Sequence, residues 1–256
     1  MKVTILGSGT STGVPMVGCR CRVCSSNNPK DRRTRASLLI RHEGRNILVD
    51  TSTDLRRQAL REGLDRVDAV FFTHPHADHV NGIDDLRGFH FLHQEVIPCY
   101  ASPATFETLF AGFRYIFFEF DGSGYTPLLS PHEIEGPFDL FGLTVIPVPL
   151  VHGKGTATGF RIGKFAYLTD CSTLPDSSLK LLEGLDVLIV DGLRWTPHPF
   201  HFNIEAAIAA AEPIKPARVV LTHLTHEVSY SEQKKLPPGF EFAFDSMVFD
   251  VELVHT

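Results

Sequence analysis

The chain has 256 residues, of which 43% are apolar and 21% charged, and these are the proportions of an ordinary globular protein. A formal net charge of −6 argues against a general electrostatic attraction to nucleic acid or anionic membranes, although it is compatible with a local basic patch. The apolar stretch before Gly7 is too short for a signal sequence, and no run approaches the roughly 18 apolar residues of a membrane span. We therefore expect a cytoplasmic protein with no membrane partner, in which the five cysteines are thiols or metal ligands.

The first predicted strand, Lys2–Leu6, leads into a loop of glycine and hydroxyl residues, 7–13. Because no lysine follows and no helix pattern begins there, the loop does not fit a Walker or dinucleotide motif. It could present backbone N–H groups to a phosphate at the rim of a site, and a flexible turn explains it equally well.

Three cysteines lie within six residues, at Cys19, Cys21 and Cys24. No hydrophobic pattern flanks them, so the packing of small apolar side chains does not explain them. Three thiolates favour a structural zinc site whose fourth donor comes from elsewhere in the chain. A redox pair is the alternative, but no thioredoxin-like helix follows. The other two cysteines, Cys99 and Cys171, are predicted to be packed thiols.

A predicted hairpin of Ser37–His42 and Arg45–Asp50 brings Asp50 to the end of a strand. There Asp50 could support a metal ligand from behind, or it could simply cap the strand. A predicted helix, Asp54–Glu62, then leads to the apolar strand Val67–Phe72.

Four potential metal ligands follow that strand within six positions: His74, His76, Asp78 and His79. The carboxyl ends of strands are where open α/β sheets keep their sites. Since residues two apart in an extended segment point the same way, His74 and His76 can share one ion. Asp78 and His79 then begin a helix and can face a second ion. Imidazole with carboxylate suits zinc, manganese or iron better than calcium, and a histidine-rich surface turn is the weaker alternative.

Helical spacing of apolar residues over 80–89 predicts that the helix continues after this cluster. A strand over Val96–Ala101 and a helix over Pro103–Phe113 come next. The aromatic run 115–120 could cover a substrate cleft or form a dimer face, which leaves a homodimer open, but packing beneath a loop explains it better.

The second half of the chain is again rich in strands, and four of them end near Asp or His. These predicted strands are Leu143–Pro147, Phe165–Leu168, Val187–Val190 and Arg218–Leu221, with a helix over Asn203–Ala211 before the last. The residues that follow them are His152, Asp170, Asp191 and His223. Random placement would scatter such residues along the elements, so we expect them to meet at one edge.

The ligand inventory is complete for two ions of the zinc or manganese type. We predict that one ion is held by His74, His76 and His152, and the other by Asp78, His79 and His223. Asp170 can lie between the two ions and bridge them.

These residues, together with Asp50, occur in the order of the five motifs of the metallo-β-lactamase superfamily, which the chain resembles over essentially its whole length. The resemblance implies an α/β fold, the four-layer αβ/βα sandwich. It also implies one hydrolase domain, 1–256, built from two similar halves at roughly 1–140 and 141–256.

The cysteine segment and Thr222-His223-Leu224-Thr225-His226 narrow the resemblance to the phosphoribosyl cyclic phosphodiesterase family of the carbon–phosphorus lyase pathway. In that family the three cysteines and the second late histidine hold a structural zinc, which implies the set Cys19, Cys21, Cys24 and His226. The chain departs from that family around 192–195.

The chain is also similar to the transfer-RNA 3′-processing endonucleases, which have a downstream histidine that acts on the leaving group. This similarity implies that His201 is the proton donor and that Asp191 supports it, with His198 as the alternative donor. No glycine- and lysine-rich arm for gripping transfer RNA is evident in the sequence.

The predicted function is a dinuclear phosphodiesterase with a hydroxide bridging two zinc or manganese ions, a third structural zinc, and His201, Asp191 and Asp78 as catalytic residues. We expect a small phosphodiester substrate, a phosphoribosyl 1,2-cyclic or nucleoside 2′,3′-cyclic ester. RNA or DNA cleavage is the second choice, and thioester or lactam hydrolysis the third. A non-catalytic metal-binding carrier is the alternative from another class, and the complete ligand set argues against it.

Overall fold

The computed structural model describes residues 1–118 and 128–253. In these ranges the strands are β1 (Lys2–Gly7), β2 (Ser37–His42), β3 (Arg45–Val49), β4 (Ala69–Phe71), β5 (Ile97–Ala101), β6 (Leu129–Glu133), β7 (Phe138–Leu140), β8 (Leu143–His152), β9 (Gly155–Ile162), β10 (Phe165–Leu168), β11 (Val187–Asp191), β12 (Arg218–Thr222), β13 (Phe240–Phe242) and β14 (Met247–Asp250). The helices are α1 (Leu55–Arg61), α2 (Ala77–Val80), α3 (Leu86–His93), α4 (Pro103–Phe117), α5 (Asp176–Lys180) and α6 (Ile204–Ala211). Short 3-10 turns cover Pro29–Asp31, Ile83–Asp85 and Tyr230–Lys235.

The strands form two seven-stranded mixed sheets, in the orders β14-β1-β2-β3-β4-β5-β6 and β13-β12-β11-β10-β9-β8-β7. In each sheet a run of four strands is parallel, β3 to β6 in the first and β10 to β13 in the second. The last strand, β14, pairs antiparallel with β1, so the first sheet combines both ends of the described chain.

Apolar side chains fill three layers of core. Between the sheets, Phe71 of β4 packs against Phe160 of β9 with ring centroids 5.0 Å apart. The outer face of the first sheet is covered by helices that bury Leu55 and Phe106, and the outer face of the second by α6 through Ile204. Full burial of such side chains stabilises the fold by about 1.5–3 kcal/mol each. The predicted four-layer αβ/βα sandwich is confirmed.

The helix predicted after the histidine cluster is broken in the structure. The apolar residues fall on the buried face as expected, but α2 ends at Val80 and α3 begins only at Leu86. The break lies at Gly82, whose N–H donates to Thr51 O and where an added Cβ would lie 2.0 Å from Ser52 O. The chain passes too close to this neighbouring backbone for a continuous helix.

Two further elements are longer than predicted. β8 continues to His152, which is therefore the last residue of the strand rather than a residue beyond it, and β9 returns beside it as an unpredicted partner. Helix α4 extends to Phe117, with non-helical backbone at Phe113. Ile116 and Phe117 are buried, so this part of the aromatic run packs in the core, whereas 119 and 120 lie outside the described residues.

No helix in the two described ranges combines the length and the apolar character that crossing a bilayer requires.

Candidate metal centre and active site

Both sheets contribute side chains to one cavity of about 660 Å³. The first sheet supplies the residues that follow β4, and the second supplies the ends of β8, β10 and β12. The parallel runs place these carboxyl ends at one edge of each sheet, as the sequence predicts. The six predicted ligands that line the cavity wall are His74, His76, Asp78, His152, Asp170 and His223, and His79 is buried directly behind them.

The two carboxylate oxygens of Asp170 face different groups of histidines. Its Oδ1 lies 3.1 Å from Nε2 of His79 and 3.4 Å from Nε2 of His223. Its Oδ2 lies 3.6 Å from Nε2 of His74 and 3.7 Å from Nε2 of His152. This is the placement that a bridging carboxylate requires.

The remaining ligands complete the two groups. Nδ1 of His76 lies 3.3 Å from Nε2 of His152, and the His76 ring also packs against the ring of His74. His76 therefore belongs to the same group as His74 and His152. Asp78 Oδ2 lies 3.4 Å from Nε2 of His79 and 3.5 Å from Nε2 of His223. Within each group the potential ligand atoms lie within 4.8 Å of one another. All seven predicted metal ligands are therefore brought together, and in the predicted grouping.

Hydrogen bonds behind the cluster fix which ring nitrogens face it. Asp50 Oδ2 lies 2.7 Å from Nδ1 of His79, and Thr73 donates to Asp50 through both its N–H and its Oγ1. Because the Thr73 hydroxyl has only one proton, it must accept from Nδ1 of His74, 3.0 Å away. Nδ1 of His152 donates to the carbonyl of Phe200 at 2.8 Å. In each of these three histidines Nε2 is left with its lone pair towards the cavity.

These donors fit a pair of divalent cations. The Nε2 atoms of His74, His79 and His223 are buried without a hydrogen-bond partner among the described residues. A buried polar atom left unsatisfied costs about 1–3 kcal/mol, so a set of them pointing at one space indicates a missing partner. Nitrogen and carboxylate donors suit zinc, manganese or iron.

Two of the ligands have the ionisation states that metals require, whereas at His79 and His223 burial is outweighed by the charge of Asp170 and other nearby carboxylates, which raise the pKa of the imidazole. Burial opposes ionisation of Asp170, but the neighbouring His223, His79 and His74 reverse the effect and hold the pKa of its carboxyl well below the ordinary value. Burial, together with the nearby His79, lowers the pKa of His74 well below its ordinary value. Asp170 is therefore an anion and His74 a neutral imidazole, which are the forms that bind metals.

Three residues of the site adopt a left-handed backbone one or two residues beyond the end of a strand: Asp50 at φ 63°, Asp170 at φ 54° and His223 at φ 59°. This conformation costs a non-glycine residue roughly 1–2 kcal/mol and concentrates at functional sites. Here it turns each side chain from the strand direction towards the cavity edge.

A histidine–carboxylate pair lies beside the cluster. Nδ1 of His201 is 2.6 Å from Oδ2 of the buried Asp191, which also accepts the N–H of Cys171 at 3.0 Å. His201 lines the cavity, with Nδ1 3.9 Å from Asp170 Oδ2. The alternative donor, His198, accepts the N–H of Phe200 on its Nδ1, at 3.3 Å, and forms no ion pair with a carboxylate of the described residues. The geometry favours His201.

The predicted cysteine site assembles as well. Nδ1 of His226 lies 3.5 Å from Cys19 Sγ and 3.3 Å from Cys21 Sγ, and the ligand atoms of all four residues lie within 4.8 Å of one another. Backbone N–H groups point at the sulfurs, including that of Cys24 at Cys21 Sγ. This N–H and His226 lower the pKa of the Cys21 thiol to about 6. Cys99 and Cys171 lie in other parts of the sequence. Both are buried thiols that form no disulfide, as predicted.

Sequence reasoning missed three contributors to the site. Thr73 precedes the first histidine and orients two residues, a role that its position in the motif could have suggested. The Phe200 carbonyl holds His152, and a backbone atom gives no signal in a sequence. Lys154 lines the cavity from within the β8–β9 turn. Ser11 of the loop 7–13 also lines the cavity, as a rim residue would.

Residues 45–224 match the family model described as a beta-lactamase superfamily domain. The crystal structure of a diphosphatase from the PhnP family is 40% identical to this chain, covers 98% of both chains and superposes with a TM-score of 0.92.

Two curated relatives carry other names. An octanoyltransferase of Porphyromonas gingivalis is 40% identical over 96% of this chain, but the chain spans only 51% of that protein's length. A coenzyme PQQ synthesis protein B of Methylobacterium nodulans is 29% identical over 75% of this chain and 73% of its own length.

Proposed function

Because this chain belongs to the metallo-β-lactamase superfamily, and within it to the PhnP family, we propose that it is a metal-dependent phosphodiesterase that hydrolyses small phosphodiesters. Phosphoribosyl 1,2-cyclic or nucleoside 2′,3′-cyclic phosphates are the preferred substrates. The proposal treats 1–256 as one hydrolase domain, since ligands come from both sheets.

The observation that carries the proposal is the position of Asp170 between two groups of ligands whose buried nitrogens lack partners. One divalent ion would be held by His74, His76, His152 and Oδ2 of Asp170, and the other by Asp78, His79, His223 and Oδ1 of Asp170. When bound, such a pair activates water for attack on phosphorus and neutralises charge on the phosphate oxygens.

The protein's own proton donor is His201. Its Nδ1–H is held by Asp191, so its Nε2 is the atom available to the substrate. The buried carboxylate fixes the tautomer and the orientation of the imidazole, as in other histidine–aspartate pairs. Nε2–H would then give its proton to the departing alkoxide, which is a poor leaving group without one.

The cavity supports a small substrate. A volume of about 660 Å³ lies within the range of sites that enclose a small ligand such as a nucleotide. We do not extend octanoyl transfer to this chain, because about half of the relative with that name lies outside the match. Cleavage of RNA or DNA is the next choice.

A test begins with protein stripped by a chelator and reloaded separately with zinc, manganese or iron. We expect metal-dependent release of nitrophenol from bis(p-nitrophenyl) phosphate, and faster turnover of cyclic phosphates than of linear dinucleotides. Tight binding of the metals without turnover of any phosphodiester would contradict the proposal. It would favour a carrier on the same fold, as the similarity to a PQQ synthesis protein also allows.

Hydrolysis of a diphosphate is a candidate that the sequence did not suggest, and it is favoured because the 40% identical structure is that of a diphosphatase. The leaving group of a diphosphate is a phosphate, which needs a proton less than an alkoxide does. Comparing a nucleotide-derived diphosphate diester with 2′,3′-cyclic AMP separates the two, since only the cyclic ester should depend strongly on His201.

A further inference from the structure

A second cavity, of about 400 Å³, lies beside the first and is lined by an unusual number of arginines. We call it the arginine cavity, and its arginines are Arg32, Arg33, Arg35, Arg57 and Arg61. The acidic residues lining it are Asp54 and Asp245, so five positive charges face two negative ones. The whole chain has a net charge of −6, which makes this local excess of positive charge more pronounced.

Both carboxylates of the arginine cavity are already engaged. Asp54 pairs with Arg35 at 3.1 Å and also accepts the N–H of that residue. Asp245 pairs with Arg61 at 3.1 Å and accepts hydrogen bonds from Ser8 and Thr34. These two carboxylates pair with Arg35 and Arg61, and Asp31, which does not line the cavity, lies 3.6 Å from Nη2 of Arg33. Among the described residues, Arg32 and Arg57 are therefore left without a carboxylate partner.

Arg32, Arg57 and the ion-paired Arg33 all retain N–H donors without a hydrogen-bond partner or with a single long one. Arg57 is exposed and makes no hydrogen bond or ion pair with any residue in the described ranges, and Arg32 has a single 3.5 Å contact to Ser26 O. The Arg33 side chain is fully buried, and its Nε and Nη2 have no hydrogen-bond partner. Guanidinium groups of this kind suit phosphate, which accepts two parallel N–H bonds.

The arginine cavity adjoins the candidate active site. Ser11 lines the cavity of the candidate metal centre, and the next residue, Thr12, lines the arginine cavity. Arg35 donates from Nε to Ser11 O at 3.2 Å and ties the two walls together. The two cavities therefore share the loop 7–13 as a common wall.

We propose that the arginine cavity binds a phosphate group of the substrate other than the one that is cleaved. The proposal rests on the proposed phosphodiesterase function and refines it, because it favours substrates with a second phosphate over those with the scissile phosphate alone. The sequence alone does not indicate the site, since its arginines come from two separate segments, 32–35 and 57–61.

Two esters that differ by one phosphate provide the test: thymidine 5′-(p-nitrophenyl phosphate) and its 3′-phosphorylated form. We expect wild-type protein to show a kcat/KM about tenfold higher for the doubly phosphorylated ester, the size of one charge-assisted contact. Arg57→Glu should abolish this ratio, and Arg57→Ala should reduce it. Arg56→Glu is the matched control, because Arg56 is also exposed on α1 but does not line the arginine cavity.

A second measurement does not depend on turnover. In wild-type protein, thymidine 3′,5′-bisphosphate should protect Arg57 from phenylglyoxal modification, as mapped by peptide mass spectrometry, and inorganic pyrophosphate should protect it less. Equal kcat/KM for the two esters, or equal loss of the ratio in Arg56→Glu and Arg57→Glu, would overturn the proposal. Protection by pyrophosphate alone would also overturn it and identify a site for free anions. If neither ester is hydrolysed, the phosphodiesterase function fails, and the protection experiment still decides whether the arginine cavity binds the bisphosphate.

Discussion

Oδ2 of Asp50 lies 2.7 Å from Nδ1 of His79, and both side chains are completely inaccessible to solvent. The carboxylate fixes the ring so that Nε2 faces Asp170 and His223. An aspartate that could have been a strand cap is therefore a support for a candidate metal ligand.

Replacing Asp50 with Asn should weaken metal binding. The variant keeps the volume but loses the charge that holds His79, and loss of such a supporting carboxylate typically costs about 10–100-fold in metal affinity. Competition with a chromophoric chelator measures the change. Asp68→Asn is the control, because Asp68 is also a buried carboxylate but contacts arginines rather than the cluster. Unchanged affinity in Asp50→Asn would remove the supporting role.

Replacing His201 with Ala should slow the hydrolysis of substrates with alkoxide leaving groups by about 100-fold or more, because general acid catalysis contributes about 10²–10⁴-fold. The rate of hydrolysis of activated aryl esters should fall less, and the metal content of the protein should be unchanged. His198→Ala is the matched variant. The rings of His198 and His201 lie close together, with centroids 5.1 Å apart, but only His201 is hydrogen-bonded to Asp191. A larger loss in His198→Ala would reverse the assignment of the donor.

Gly153→Ala should impair catalysis through His152. An added Cβ would lie 2.0 Å from Cδ1 of Phe200, and the Phe200 carbonyl holds the His152 ring. Gly163→Ala has the same left-handed strain, with φ near 57°, but its nearest neighbour is a Leu253 methyl at 3.5 Å. Both variants should lose about 1–2 kcal/mol of unfolding free energy, while only Gly153→Ala should lose turnover by several-fold. Equal kcat values would show that Phe200 does not position His152.

Cys21→Ser should release one zinc ion per chain and leave the ions at the histidine cluster in place. Losing a structural zinc removes at least a few kcal/mol of stability, and each kcal/mol lowers Tm by about 2–4 °C in a chain of this size. Elemental analysis and thermal unfolding report both effects, with Cys99→Ser as a control that should retain all its zinc. A full complement of zinc in Cys21→Ser would exclude the cysteine site.

The stability of the protein should depend on pH through the ionisation of Asp68. Burial alone would raise the pKa of this carboxyl, but the N–H of Asn46 and the guanidinium groups of Arg66 and Arg45 lower it below the ordinary 3.8. At pH values above 3.8 the ionised carboxylate therefore stabilises the folded state. This stabilisation is lost as the pH falls through the lower pKa of the folded state. Asp68→Asn should cost about 1–3 kcal/mol at pH 7, and denaturant unfolding should show the difference shrinking in acid.

The arrangement of the site followed from sequence because its ligands obey a simple rule of parallel sheets. His74, Asp170 and His223 each come just beyond a strand, and carboxyl ends of parallel strands meet at one edge. The separation of the ligands into two groups followed from the extended conformation of 74–76 and the helix that begins at Ala77.

The features that sequence did not predict depend on contacts between distant segments. The break at Gly82 arises from the backbone of Ser52, and the orientation of His152 from a carbonyl 48 residues away. The negative net charge of the chain gave no indication of the arginine cavity. Its arginines come from residues 32–35 and 57–61, which only folding brings together. Periodicity reports which face of an element is buried, not which neighbour lies against it.

The pairing of β14 with β1 has a consequence for synthesis of the protein on the ribosome. Until residues 245–250 have left the exit tunnel, the edge of β1 is unpaired and Asp245 cannot reach Ser8, Thr34 or Arg61. Nascent chains stalled before this segment should therefore present an open strand edge, the kind of surface on which chaperones act and aggregation begins.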